Sequence, residues 1–108
     1  MKPLNEFLNE GKSNFKFTKE QVNDVADLIA KAIAKEDNAK TAVHGMKFDD
    51  KGAEFSISMD GEDYDGGSYV VKDNGNVINY ASGVKDSVYA NIGDTDIKQV
   101  IKNIKKYK

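Results

Sequence analysis

Cysteine is absent from all 108 residues, so neither disulfides nor thiol catalysis can serve this chain. Histidine occurs once, at His44, which excludes a zinc site built from several histidines. Arginine is also missing, so the 16 basic residues are all lysines. No base-reading motif accompanies them, and direct nucleic-acid binding is not expected. No apolar run approaches the length of about 18 residues needed to cross a bilayer, so no membrane association is expected. The glycines form neither a Gly-x-Gly-x-x-Gly fingerprint nor a P-loop, and nothing else in the chain calls for a cofactor. Eighteen acidic residues against 16 lysines leave a net charge of −2, too small to select a partner by bulk electrostatics.

What is present fits one small domain. Apolar residues make up 39% and charged residues 31%, and a chain of this length sustains a single core of modest net stability. The strongest local signal is a helix over 18–36. Thr18 with Gln21 three residues later makes a capping box, and Phe17 and Val22 stand at the hydrophobic-staple positions. Val22, Val25, Ala26, Ile29, Ala32 and Ile33 recur at helical spacing. Asp27 and Lys31 lie on the opposite face as a favourable i,i+4 pair.

From Thr41 the period changes to two. Ala42, His44, Met46 and Phe48 are expected on the core face of a first strand. Asp49-Asp50-Lys51-Gly52 makes a hairpin turn, and Ala53, Phe55, Ile57 and Met59 share the core face of the return strand. A turn-rich acidic loop over 60–67 follows. Further strands are expected over 68–72, 76–81 and 88–92. Asp94 is expected to cap a last helix whose stripe is Ile97, Val100, Ile101, Ile104 and Tyr107. Helices segregated from a run of strands predict an α+β fold: a four- or five-stranded antiparallel sheet, with the N-terminal and C-terminal helices on one face. The chain then divides into residues 1–10, a linker over 11–17, and a domain over 18–108.

Residues 49–65 concentrate seven carboxylates against one lysine. Asp49, Asp50, Asp60, Glu62, Asp63 and Asp65, together with Tyr64, are the candidate partner-binding residues, since an anionic surface can occupy a basic site on another protein. Tyr69, Tyr80 and Tyr89 add a tyrosine-rich character that suits an interface as well as an ordinary strand. Two other readings stay open. One is a calcium- or small-ligand-binding loop, although the EF-hand spacing is missing. The other is a small hydrolase or transferase using His44, which needs a carboxylate or nucleophile within reach.

The first ten residues, Met-Lys-Pro-Leu-Asn-Glu-Phe-Leu-Asn-Glu, stand apart. Leu4, Phe7 and Leu8 share one face of a short helix, and Gly11-Lys-Ser-Asn reads as a tether. A plain N-terminal arm packed on its own domain would have the same pattern. The run Lys2, Glu6, Phe7, Leu8 and Glu10 resembles the capsid-targeting sequence of the internal head proteins of T-even-type bacteriophages, with Pro3 where that family usually has Thr. The resemblance covers ten of 108 residues. It implies recognition by the prohead scaffold and protease, cleavage after Glu10 in the Leu8-Asn9-Glu10 context with Gly11 beyond the cut, and residence in the capsid interior, then the host cytoplasm. It further implies a non-enzymatic role there, as a stoichiometric inhibitor of a host defence protein such as a restriction nuclease. Removing Lys2, Glu6 and Glu10 would move the net charge only from −2 to −1.

Overall fold

The computed structural model describes residues 15–80 and 87–107. The expected targeting segment, the cleavage site at Leu8, Glu10 and Gly11, and most of the linker lie outside the described residues, as do residues 81–86.

Helix α1 spans Lys19–Asp37. Its start is the capping box read from the sequence: Thr18 Oγ1 accepts from the Gln21 amide at 3.1 Å, and Gln21 Oε1 accepts from the Thr18 amide at 2.8 Å. Its end is Asn38, at φ +51, a left-handed position that Asn tolerates better than most residues. Val22, Val25, Ala26, Ile29, Ala32 and Ile33 are all buried, and full burial of one Val or Ile side chain contributes about 1.5–3 kcal/mol.

Five strands follow in a simple meander: β1 Thr41–Asp49, β2 Gly52–Met59, β3 Ser68–Val71, β4 Asn76–Asn79 and β5 Val88–Asn91. All pairings are antiparallel, in the spatial order β1-β2-β3-β4-β5. Helix α2, Ile97–Lys106, closes the chain. Helix α1 packs against β1, β2 and β5, and α2 packs against α1 and β5. One helix touching both edge strands requires the sheet to curl around it. The core between the layers joins Ile29 and Ile33 to Phe55, Ile57, Tyr69 and Val77, and closes with Val100 and Ile104 from α2. An ion pair at 3.7 Å from Lys105 to Glu36 ties the C-terminal ends of the helices together.

Two expectations fail for identifiable reasons. On β1 the inward residue of the first half is Val43, which packs on the core, while Ala42 is exposed. His44 pairs with Ser56, on the face away from the helices. The cause is a bulge: Gly45 has φ +67, and the register shifts between His44 and Lys47. One extra residue reverses the parity of everything before it. Beyond the bulge the expected face returns. Met46 packs on the core, and Phe48 meets Phe15 edge to face at 5.8 Å. At the second helix the N-cap is Asp96, whose side chain accepts from the Lys98 amide, rather than Asp94. Asp94 instead accepts from the Asn91 amide at 2.8 Å and closes the turn leaving β5.

Candidate partner-binding surface

The acidic stretch is continuous in sequence but divided in space. Asp49 and Asp50 lie at the β1–β2 turn, whereas 60–65 follow the other end of β2. Eight residues of strand separate them, which at about 3.3 Å per residue is roughly 23 Å or more. The seven expected residues are therefore divided between the two ends of β2.

Several members hold the fold. Asp49 Oδ1 accepts from the amides of Lys51 at 2.8 Å and Gly52 at 3.1 Å, shaping the first turn. Asp50 lies beside it at the exposed tip. Asp60 has φ +52 and Gly61 φ +89. Two consecutive positive values mark the tight hairpin turn that Asp-Gly favours, and Met59 and Glu62 exchange amide-to-carbonyl bonds at 3.0 Å across it. The Asp60 amide donates to the Lys40 carbonyl at 2.8 Å, and Asp60 Oδ1 accepts from the Lys40 amide at 3.0 Å. Asp60 is thus a clamp between the loop and the start of β1.

The rest of the loop points outward. Glu62, Asp63, Tyr64 and Asp65 are exposed, with Tyr64 retaining 66% of its surface. Their backbone is nevertheless well held. The Gly67 amide donates to the Tyr64 carbonyl at 3.0 Å. Gly66 and Gly67 then rejoin the sheet by bonding to the carbonyl and amide of Ile57, at 2.9 and 3.0 Å. Gly66 admits no side chain, since a Cβ there would lie 2.7 Å from the Ile57 carbonyl oxygen. His44 supplies another fastening, its Nε2 donating to the Asp63 carbonyl while its ring lies 5.7 Å from that of Tyr64.

Behind Tyr64 lies an open cleft of about 400 Å³, walled by Tyr64, Tyr69, Tyr89 and Tyr107, with Asp37 and Asp65 on its lining. The rings form a continuous series: Phe55 on Tyr69 at 5.1 Å, Tyr69 to Tyr89 at 5.6 Å, and Tyr89 to Tyr107 at 6.1 Å. Tyr69 is fully buried, and its hydroxyl donates to the Gly66 carbonyl at 2.7 Å. Burial, reinforced by neighbouring Tyr89, holds its phenol far above the usual tyrosine range. Tyr80, by contrast, is largely exposed and lines none of this cleft. Tyr107 read as one more member of a helical stripe; only packing of α2 beside β5 brings it to the cleft.

Comparison with family models, curated proteins and solved structures finds no match for this chain. The surface is therefore judged on its own chemistry. Among the described residues, no three His, Asp or Glu side chains converge where a metal ion could be held, so the acidic loop offers no calcium cage. The bond His44 makes is to a backbone carbonyl, not to a carboxylate that would orient a general base. Among the described residues no helix is long and apolar enough to cross a membrane.

Proposed function

We propose that this protein is an internal head protein of a bacteriophage. It is carried into the capsid by residues 1–10, trimmed after Glu10 by the prohead protease, and delivered with the DNA into the host cytoplasm. There it binds and inhibits a host defence enzyme, such as a restriction nuclease, one molecule to one site. The resemblance of the N-terminal segment supports the route. The observation that carries the binding role is the exposed Tyr64, set among Glu62, Asp63 and Asp65 on a backbone fixed at several points. A large aromatic ring with carboxylates on its chain neighbours, on a backbone with little ordering entropy left to lose, suits a basic, apolar-floored site on a partner. Asp49 and Asp50, at the far end of β2, are not part of this surface.

Two measurements test the two halves. Intact mass of the protein from purified virions is expected to correspond to a chain beginning at Gly11; absence from virions, or an intact residue 1–10 segment there, defeats the packaging route. Purified chain from Gly11 onward is expected to retain a nucleic-acid-processing enzyme from host lysate and to titrate its activity to zero at a fixed ratio. Y64A combined with D63N and D65N is expected to lose that titration while melting like the parent. Unchanged inhibition by this triple variant would remove the loop from the mechanism.

A further inference from the structure

Strand β1 is one edge of the sheet, and the direction of its backbone groups follows from its neighbours. Lys40 gives both its carbonyl and its amide to Asp60, on the β2 side. Ile57 and Met59 of β2 turn theirs away from β1, to Gly66, Gly67 and Glu62. Backbone direction alternates along an antiparallel strand. Thr41 and Val43, which stand opposite Met59 and Ile57, therefore point their N–H and C=O groups at the open edge. Among the described residues nothing pairs with that edge. The Gly45 bulge ends the run after His44.

Beside this edge, α1 and β1 frame a groove of about 480 Å³. Ala30 and Ala34 make its helix wall low, and Asp27 and Lys31 flank it. Thr41 Oγ1 donates to the Ala30 carbonyl at 2.7 Å, which locks strand to helix here.

We infer that this edge is the seam of a two-fold dimer, formed with a second copy of the chain. In it β1 pairs antiparallel with its counterpart about an axis at Ala42, Thr41 standing opposite Val43 of the second copy. The two sheets become one, and the α1 helices run antiparallel across the seam. The same axis brings Asp27 of each copy toward Lys31 of the other, a self-complementary pattern that a two-fold contact requires. The alternate-residue edge offers only two residues with outward groups, so the ladder bonds are few whichever strand pairs there and the remaining contacts must decide the occupant. A second copy adds its own alanine face and charge pair to the same contact.

Sedimentation equilibrium of the full-length chain, over roughly 5–500 μM to cover weak interfaces, is expected to show mass rising from monomer toward dimer. D27K and K31D each place like charges across the axis twice, and each is expected to raise the dimer Kd about tenfold. The double swap D27K/K31D is expected to return it to within about threefold of the parent. V43P removes an amide that faces the open edge and should abolish dimerisation, with circular dichroism and melting confirming that each variant folds. A chain that stays monomeric throughout overturns the inference, whether or not it captures an extended peptide. So does a dimer whose Kd ignores the charge changes, since its interface then lies elsewhere.

Discussion

Replacing Tyr69 by Phe removes a single oxygen atom from the centre of the fold, and its effect should reverse with pH. At neutral pH the change deletes the hydroxyl that donates to the Gly66 carbonyl at 2.7 Å, leaving that acceptor short of a partner in a buried turn. The ring contacts with Phe55 and Tyr89 survive, because Phe has the same ring. The cost is then the unmet hydrogen bond, about 1–3 kcal/mol, seen as a melting temperature lower by roughly 4–13 °C. Alkali works against the parent. In the unfolded chain Tyr69 ionises near the ordinary value of 10.0, whereas in the folded protein burial and Tyr89 keep it neutral well beyond that. Its contribution to stability is complete below that unfolded value and drains away as pH rises through and above it, by about 1.4 kcal/mol per pH unit. Phe cannot ionise and escapes this loss, while the other tyrosines and the lysines titrate alike in both proteins. Urea unfolding at intervals from pH 7 to 11.5 should show the deficit of Tyr69→Phe shrinking above pH 10, by about 2 kcal/mol at the top of that range. A constant gap across that range would refute the picture of a neutral phenol sealed in the core.

Two further substitutions probe the loop. Gly66→Ala would set a methyl group 2.6 Å from Ile57 Cγ2 and 2.7 Å from the Ile57 carbonyl oxygen, on a central strand that cannot yield. A loss of at least about 2 kcal/mol in urea unfolding is expected, and a loss below about 0.5 kcal/mol would show that the β2–β3 connection gives way. His44→Ala should release the Asp63 carbonyl without touching the buried core. Amide exchange over 61–65 is expected to quicken several-fold while the melting temperature moves by less than about 3 °C; unchanged exchange would mean that the imidazole is not what fastens the loop.

Local chemistry was legible where it decides structure by itself. The capping box at Thr18 and Gln21, the alanine-rich stripe of α1 and the alternation of β2 each predicted their element, and together they gave the α+β class and the meander. Expectations failed where one residue changes a long-range count. Gly45 looks like any strand glycine in sequence, yet the bulge it makes sends His44 to the opposite face from the one its parity indicated. Asp94 and Asp96 are both good caps, and the choice was made by the β5 turn, which takes Asp94 for itself. The acidic stretch reads as continuous along the chain, and the structure divides it. A count of carboxylates ignores that β2 carries 49–50 and 60–65 to its opposite ends. The tyrosine-walled cleft was not legible at all, because Tyr107 and Asp37 reach it from two helices whose placement beside the sheet is a tertiary fact.

The return of the acidic loop to Ile57 bears on how this surface can change. The chain leaves β2, turns at Asp60-Gly61, and rejoins the strand through Gly66 and Gly67, so the positions between serve no ladder beyond the one bridge at Glu62. Glu62, Asp63, Tyr64 and Asp65 place no side chain in the hydrophobic cluster. If the proposed binding role holds, recognition and folding are written in different letters of the chain. The segment can be rewritten to meet a new target, by drift or by design, while the glycine pair and Asp60 keep its frame.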